Sequence, residues 1–462
     1  MINNLFDVFL DSDPATFCLI KHSVRFEKSY IEKSISTLEK NLTEIYPDWE
    51  GLKVFIDIKD RALYIIVFLT FLKLKSKPVL VPIEVKEEDY KNSEDVFMSD
   101  NKNLDFGLFI NTEFNVAVGS NFNKNSLVKT SDAAALYLYT SGSTGKPKLI
   151  EKSVQNIVVE LEELKKIFPI NKKTTFYFTP PIYHIYGLLF DLFLPMSCSC
   201  AIYVDYLFTP ETIAQYVLDN RIEFFVSIPS YYKMFVTLNL VGSFASCKYL
   251  TNSSAPLDKE TSKVFYKRGL NIVEIYGSTE TGGIARRVSP KDENWELFSY
   301  VDIVKSRENE DEKARELLIL SPSVSVDFDK TVGFNTGDIV EFTGDNKFIL
   351  LGRNTRFVKI SGKRVDLNYV FSKIRDYFHS KGLENVDEQN LYVGCYKEKL
   401  FVIFSDEYPD EFHIIKEELK KRLPGYSSPR YFVKKEIPRN SMGKINRVEI
   451  EKIAEKLFSG NK

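Results

Sequence analysis

A hydrophobic run followed by a loop of small residues constrains this chain more than any other feature. Residues 133–139 are almost entirely apolar and predict a buried strand. Glycine permits a sharp turn and close approach of the backbone to a ligand, and successive backbone N–H groups in such a turn form an anion site. Hydroxyl groups and lysines add donors and positive charge, so the loop is typical of phosphate binding. Its residues are Thr140, Ser141, Gly142, Ser143, Thr144, Gly145, Lys146, Pro147 and Lys148.

This loop is not the Walker A loop of P-loop kinases and NTPases. That pattern requires Ser or Thr directly after Gly-Lys, whereas Pro147 follows Lys146 here. The ordered run after an apolar strand closely resembles the phosphate loop of the adenylate-forming superfamily, which contains acyl-CoA synthetases, luciferases and the adenylation domains of peptide synthetases. The resemblance implies that residues 140–145 and Lys148 bind the nucleotide.

A second motif lies at the end of another apolar strand, where Tyr276, Gly277, Ser278, Thr279 and Glu280 follow one another. An aromatic face can stack on a purine, and a carboxylate can hold Mg²⁺ beside phosphates. The segment resembles the Tyr-Gly-x-Thr-Glu motif of the superfamily. The resemblance places Tyr276 and Gly277 at the adenine, Thr279 at a phosphate and Glu280 at Mg²⁺.

Further segments complete the implied nucleotide site. Asp338 ends a Thr-Gly-Asp turn and Arg353 a Gly-Arg pair, and the resemblance assigns both residues to the ribose hydroxyls. The segment from Ser253 to Leu257 resembles the Gly-Gly-Ala-Pro stretch on the adenine side, with serine in place of both glycines. The nucleotide-binding residues that it implies are Ser254, Ala255 and Pro256.

The C-terminal region carries the implied catalytic lysine. Lys444 lies in a Pro-x4-Gly-Lys-Ile pattern that starts at Pro438. A positioned cation would stabilise charge on the α-phosphate, and removal of such a group typically costs roughly a hundredfold in rate. Thr355 occupies the pivot position, where the superfamily usually has Asp or Lys. Lys359, in a Val-Lys-Ile-x-Gly stretch, would serve the second half-reaction.

The acid pocket is assigned to the segment that follows the strand predicted from residue 175. The resemblance implies that Tyr183, His184, Ile185 and Gly187 line it. Amino-acid-activating relatives place Asp near Ile185, so a substrate ammonium would lose its partner here at a cost of roughly several kcal/mol. Activators of the dihydroxybenzoate kind place Asn there. A fatty acid or an aromatic acid of the cinnamic type therefore remains.

Composition and element order predict the fold. The chain has 462 residues, 44% hydrophobic and 27% charged, with a formal net charge of −2, which gives no general bias toward nucleic acid. Strand–helix–strand alternation favours an α/β class: a large N-terminal domain with mixed and parallel sheets flanked by helices, residues 1–353, and a small mobile α+β domain, residues 354–462. Helices are predicted at residues 30–45 and 60–74, and a charged surface segment at residues 84–101.

The implied reaction is the ATP- and Mg²⁺-dependent activation of a carboxylic acid as acyl-AMP, followed by transfer to a thiol. The absence of a carrier attachment site favours the phosphopantetheine of a separate acyl carrier protein; coenzyme A is the alternative acceptor. A non-catalytic nucleotide-binding homologue is the alternative of a different class, although Glu280 and Lys444 are both present. The five scattered cysteines and the absence of a signal peptide or a membrane span predict a cytoplasmic protein.

Overall fold

The chain folds into two compact units, Met1–Lys305 with Leu318–Phe334, and Ser306–Leu317 with Asn335–Lys462. The first is called the large unit below and the second the small unit. The computed structural model describes residues 2–82, 95–101, 107–119, 122, 124, 127–130, 133–141, 147–304, 314–326, 328, 333–353, 357–360, 363–381, 383, 386–387, 390–405, 412–423, 425, 428–439 and 445–459.

The strands of this part of the chain are short, as is usual for globular proteins. They are β1 (Cys18–Lys21), β2 (Val24–Glu27), β3 (Lys53–Asp57), β4 (Lys77–Leu80), β5 (Val96–Ser99), β6 (Leu108–Ile110), β7 (Val116–Val118), β8 (Leu136–Ser141), β9 (Pro147–Lys152), β10 (Thr175–Phe178), β11 (Ala201–Tyr203), β12 (Phe224–Ser227), β13 (Tyr249–Asn252), β14 (Ile272–Ser278), β15 (Gly282–Ser289), β16 (Trp295–Leu297), β17 (Asp302–Ile303), β18 (Ala314–Leu320), β19 (Phe334–Gly344), β20 (Lys347–Arg353), β21 (Phe357–Ile360), β22 (Lys363–Asp366), β23 (Leu391–Tyr396), β24 (Lys399–Phe404) and β25 (Tyr431–Lys434).

The helices alternate with strands over much of the large unit. They are α1 (Phe6–Leu10), α2 (Lys28–Ile45), α3 (Arg61–Lys73), α4 (Val154–Ile167), α5 (Ile185–Gly187), a π-helical segment (Leu188–Phe193), α6 (Leu194–Ser197), α7 (Pro210–Asp219), α8 (Pro229–Thr237), a 3₁₀ turn (Val241–Phe244), α9 (Lys259–Lys267), α10 (Leu367–Ser380), α11 (Phe412–Arg422) and α12 (Arg447–Ser459).

The first sheet of the large unit has the strand order β7-β6-β5-β3-β4-β8-β9. Its five central strands are parallel, and the edge strands β7 and β9 are antiparallel to their neighbours. The crossover helix α3 starts at an N-cap, because the Asp60 side chain accepts a hydrogen bond from the backbone of Leu63. Its residues 63–72 are all buried, as expected for a helix that is apolar on every face.

The second sheet runs in the order β16-β15-β14-β13-β12-β10-β11-β1-β2 through the large unit. Six strands, from β14 to β1, are parallel, whereas β2, β15 and β16 are antiparallel to their neighbours. A core rich in aromatic residues, which includes Tyr177, Phe225, Phe235 and Phe265, packs against it. The carboxyl ends of β10, β12, β13 and β14 consequently share one edge of the sheet, the usual place for ligand sites in open α/β sheets.

The small unit contains two hairpins and a three-stranded sheet. The hairpins are β19–β20 and β21–β22, and the sheet order is β23-β24-β25. Side chains of β24 alternate between two cores: Val402 packs with residues of α10 and α11, and Phe401 packs with residues of α12. Because successive side chains of a strand point to opposite faces, both faces of this sheet are buried.

The predicted α/β class with mixed sheets is confirmed, and the helices predicted at residues 30–45 and 60–74 correspond to α2 and α3. The prediction that residues 84–101 form a surface segment is wrong at Val96–Ser99, which form the buried strand β5. This apolar run is short and lies beside many charged residues, so the composition of the whole segment did not indicate a strand. The domain boundary after Arg353, the mobility of the small domain and the cytoplasmic location stay predictions. No helix in the described ranges is long and apolar enough to cross a membrane.

Candidate functional site

Three of the predicted site segments emerge from the same edge of the second sheet. Residues 179–187 follow β10, residues 253–256 follow β13, and residues 279–281 follow β14. The register aligns Phe178 with Val226, Ser227 with Asn252, and Asn252 with Glu274, so β10, β12 and β13 end side by side, and β14 continues beyond them to Ser278. The sheet therefore brings the predicted acid, adenine and magnesium segments together.

The predicted acid segment is tied to the neighbouring strands by Tyr186. Its hydroxyl lies 2.8 Å from Thr251 Oγ1 and donates to the carbonyl of Ser227 at 3.3 Å. Gly187 is required here, because a Cβ atom at this position would lie 2.1 Å from the carbonyl oxygen of Pro181. Tyr186 and Gly187 thus fix the backbone that presents the preceding side chains.

Those preceding side chains form the half-buried face of the segment. Tyr183, His184 and Ile185 are all of intermediate exposure, and the ring centroids of Tyr183 and His184 lie 4.8 Å apart. Ile185 starts a continuous helical stretch that contains the π-helical segment, a feature often found at functional sites. The half-buried apolar side chain of Ile185 offers no charge to an ammonium group.

Arg61 supports the strand end that leads into the acid segment. It is 8% exposed, and its guanidinium donates to the carbonyls of Phe178, Thr179 and Asp205 at 3.0–3.4 Å. The group also lies over the Phe178 ring at 4.3 Å. The planar guanidinium carries five N–H donors, so it can donate to several carbonyls at once. This arginine therefore clamps the ends of two parallel strands.

Asp191 lies in the π-helical segment and is fully buried. Neither of its carboxyl oxygens has a hydrogen-bond partner in the described part of the chain. Burial raises the pKa of Asp191 well above its usual range, although the charge of Arg61 acts in the opposite direction. Burial therefore favours the neutral form of this acid.

The segment predicted to lie beside the adenine is held by Glu274. This carboxylate, inside β14, accepts from the backbone N–H of Leu257 at 3.0 Å and pairs with Arg287 at 2.8 Å. Ser253 Oγ donates to the carbonyl of Ile275 at 2.9 Å. Ser254, at a position where the superfamily has glycine, adopts φ 79°, in the left-handed region that favours glycine. Ala255 is half-buried and Pro256 exposed.

The Tyr-Gly-x-Thr-Glu motif forms the end of β14 and a tight turn into β15. Tyr276 is half-buried, with its ring centroid 5.5 Å from that of Trp295, and Gly277 is exposed. The backbone N–H of Ser278 donates to Thr281 Oγ1 at 3.0 Å, and the N–H of Thr281 donates to Ser278 Oγ at 3.1 Å. This reciprocal pair closes the turn around residues 279 and 280.

Glu280 is positioned through its backbone. Its carbonyl oxygen accepts from Lys152 Nζ at 3.2 Å and from the N–H of Ser325 at 2.9 Å. Its half-buried carboxylate makes no hydrogen bond or ion pair with the residues that the structure describes. Mg²⁺ in nucleotide sites is usually held by one or two carboxylates and by phosphate oxygens, so a carboxylate in this position fits the ion.

The phosphate loop connects β8 to β9 in the first sheet. Thr140 is paired with Lys148 across this hairpin, and Ser141 with Pro147. The Lys148 side chain is exposed, and its Nζ lies 5.2 Å from the centroid of the Phe328 ring. The tip of the loop lies outside the described residues, namely Gly142, Ser143, Thr144, Gly145 and Lys146.

The remaining predicted residues belong to the small unit. Asp338, which is buried, and Arg353 are cross-strand partners in the hairpin β19–β20. Lys359 lies in β21 opposite Arg364. Thr355 and Lys444 lie outside the described residues, although Arg439 and Ile445 on either side of the lysine loop form a β-bridge. The roles assigned to all of these residues stay predictions.

Sequence reasoning missed four buried charged residues that hold the site segments. The signal that could have found them is a charge inside an apolar pattern, because such a residue requires a partner. Glu274 interrupts an apolar strand, and Glu160 lies among the apolar positions of α4. The four residues are Arg61, Lys152, Glu160 and Glu274.

Comparison with known proteins identifies the family. Residues 61–304 match the model of the family described as AMP-binding enzyme. The chain is 25% identical over 351 residues to the D-alanine–D-alanyl carrier protein ligase of Staphylococcus haemolyticus, covering 68% of this chain and 70% of the relative. It is 23% identical over 353 residues to the indoleacetate–CoA ligase of Aromatoleum aromaticum, covering 70% of this chain and 68% of that relative.

A solved structure supports the same assignment at the level of the fold. The O-succinylbenzoate coenzyme A synthetase of Bacillus subtilis, in complex with ATP and magnesium ion, superposes with a TM-score of 0.74 at 17% identity, covering 97% of this chain and 99% of that one. The resemblance inferred from the sequence motifs, and the prediction of an AMP-forming acid–thiol ligase, are confirmed by the match to the family model and by these ligase relatives. The chain belongs to the family of AMP-binding enzymes.

Proposed function

We propose that this protein activates a fatty or aryl carboxylic acid with Mg-ATP and transfers the acyl group to the phosphopantetheine thiol of a separate acyl carrier protein. The observation that carries the proposal is the shared sheet edge, where the acid segment, the adenine segment and the Glu280 turn follow β10, β13 and β14, with β12 between the first two of these parallel strands. A nucleotide and an acid bound at this edge would lie beside each other, as the reaction requires.

In the first step a carboxylate oxygen of the acid attacks the α-phosphorus of ATP. A bond forms between that oxygen and phosphorus, the bond to the β-phosphate oxygen breaks, and pyrophosphate leaves. No proton is abstracted, because the acid is ionised at neutral pH. Glu280 would hold Mg²⁺, which neutralises phosphate charge when bound, and Thr279 would contact a phosphate. Lys444 would stabilise the charge that develops on the α-phosphate.

In the second step the thiol sulfur attacks the acyl carbon of acyl-AMP. The thioester forms, AMP leaves, and the thiol proton passes to solvent. Lys359 and the segment around it would take part in this half-reaction. A rotation of the small domain about Thr355 would exchange the two lysines between steps, a common form of domain movement.

The proposed acid lacks an ammonium group. Ile185, at the start of α5, is apolar and half-buried, and Asp191, in the π-helical segment that follows, is fully buried with its pKa raised by that burial. An ammonium at Ile185 would be desolvated without a counter-ion, which is costly. An alkyl chain or an aromatic ring would instead be stabilised by burial against this side chain.

The proposal for the thiol that accepts the acyl group is based on two kinds of relative. One of the relatives is named as a carrier protein ligase and another as a CoA ligase, so both thiols fit the family. The carrier protein that we propose as the acceptor is a separate chain. Coenzyme A remains the second candidate.

The test is thioester formation from a panel of fatty, benzoic and cinnamic acids, with coenzyme A and with a phosphopantetheinylated carrier protein as acceptors. The proposal expects thioester with the carrier and little with coenzyme A. Thioester formation mainly with coenzyme A would show that coenzyme A, and not a carrier protein, is the acceptor. The absence of thioester with both acceptors would refute the ligase assignment. Lys444→Ala should abolish adenylation but retain ATP binding, which separates catalysis from a nucleotide-binding role.

A further inference from the structure

Lys152 is a fully buried lysine at the end of β9, the strand that leaves the phosphate loop. Among its contacts, its ammonium donates to the backbone carbonyls of Glu280 at 3.2 Å and of Ser323 at 2.8 Å. Both acceptors are main-chain atoms, so the contact fixes the path of the backbone. The first of them belongs to the residue predicted to hold Mg²⁺.

Glu160 contacts the start of β15, just after the turn that contains Glu280. It lies on α4, is 2% exposed, and its Oε2 accepts from the backbone N–H of Gly283 at 2.7 Å. The carbonyl of Gly283 accepts from the Tyr300 hydroxyl at 2.8 Å. Burial raises the pKa of the Glu160 carboxyl, and the charge of the Lys152 ammonium acts in the opposite direction.

The helix that carries Glu160 is itself anchored. Ser153 and Asn156 form a capping box at its start. Asn156 Nδ2 also donates to the carbonyls of Pro322 at 2.6 Å and Val324 at 3.0 Å. Thus β9 contacts the turn itself through Lys152 and Glu280, and α4 contacts the strand just after the turn through Glu160 and Gly283.

We propose that Lys152 and Glu160 are positioning residues that fix the turn at residues 279–281 relative to the phosphate loop, so that the Glu280 carboxylate is held ready for the magnesium ion of the bound nucleotide. Burial of a lysine and a glutamate costs more than burial of an apolar pair would, and their contacts with the backbone of residues 280 and 283 give them a role that apolar residues cannot fill. Partners behind a metal ligand typically change metal affinity 10- to 100-fold when they are removed. The inference rests on the proposed function.

The kinetic test uses Lys152→Met, which keeps the length of the side chain and removes its charge. We expect the Mg²⁺ concentration for half-maximal pyrophosphate release to rise about tenfold while KM for the acid stays unchanged. Lys28→Met is the matched control, because Lys28 is also buried and donates to two carbonyls, of Leu10 and Ser12, both at 2.7 Å. An unchanged Mg²⁺ requirement in Lys152→Met, or an equal rise in Lys28→Met, would overturn the inference.

A second readout does not depend on activity. Hydrogen exchange of the amides of residues 278–283, in the protein without nucleotide, should become roughly tenfold faster in Lys152→Met and in Glu160→Met. Glu160→Gln should restore protection, because the amide oxygen still accepts from Gly283, and Lys28→Met should leave this peptide unchanged. Wild-type exchange rates in both methionine variants would overturn the inference. Absence of acid-dependent pyrophosphate release from the wild type would refute the proposed function. The hydrogen-exchange measurement would still decide whether Lys152 and Glu160 position the turn.

Discussion

Glu160 gives a pH-dependent stability that can be worked out from its surroundings. Burial raises the pKa of Glu160 from its ordinary value of 4.5 to about 7, although the Lys152 charge and the Gly283 N–H act in the opposite direction. Between these two values the unfolded chain has released the proton while the folded chain retains it. Stability therefore falls as pH rises through this range, and the loss is complete above about pH 7. One pKa unit corresponds to about 1.4 kcal/mol, so the total loss is about 3 kcal/mol.

Glu160→Gln removes this titration while it keeps an acceptor for Gly283. We expect the free energy of unfolding of the wild type to fall by about 2.5 kcal/mol relative to the variant between pH 5 and pH 8, which contains most of the total loss. Urea unfolding followed by tryptophan fluorescence measures this free energy of unfolding. The signal reports on the large unit, because both tryptophans, Trp49 and Trp295, belong to it. A difference between wild type and variant that is independent of pH would refute the reasoning.

Glu163→Gln provides the control on the same helix. Burial raises the pKa of Glu163, but hydrogen bonds with Ser299 and Lys166 outweigh it and lower the pKa below its usual value. This carboxylate is therefore ionised in both states above pH 5. The stability difference between wild type and Glu163→Gln should stay constant between pH 5 and pH 8.

Three further substitutions test local features of the large unit. Ser254→Gly should stabilise the protein by about 1 kcal/mol, because it removes the strain of φ 79° at a small entropic cost; destabilisation in urea unfolding would contradict this. Arg61→Met should destabilise by about 3 kcal/mol, since three backbone carbonyls lose a buried donor, and a change under 0.5 kcal/mol would show that the clamp is dispensable. Asp191→Asn should be more stable than wild type at pH 8, with a gain that shrinks toward pH 4, because burial raises the pKa of Asp191; a gain that is constant with pH in the same assay would refute it.

The parts of the fold that the sequence predicted are those set by local pattern. The apolar runs before residues 140 and 276 are strands because continuous apolar segments suit parallel sheets with both faces covered. The helix α3, predicted at residues 60–74, begins at Arg61 because the Asp60 side chain caps it. Motif residues that follow parallel strands could be expected to share an edge, and the register of β10, β12, β13 and β14 brings them there.

The parts that could not be predicted depend on contacts between distant residues. Lys152 is bonded to a carbonyl 128 positions away, and Arg61 to one 117 positions away. A lysine or an arginine in a sequence is usually exposed, so their burial is decided only when the partner elements pack. The strand Val96–Ser99 was missed for a related reason. Its pairing with β3 stabilises it as a strand although the residues beside it are charged.

The measurement that tests the central claim most directly is pyrophosphate release from Mg-ATP in the presence of a panel of fatty, benzoic and cinnamic acids, without any thiol, with mass-spectrometric detection of acyl-AMP. The account predicts release that depends on one class of acid, the matching acyl-AMP, and loss of both in Lys444→Ala. Binding of ATP without pyrophosphate release for any acid of the panel would contradict the assignment of an acid-activating enzyme to these substrate classes.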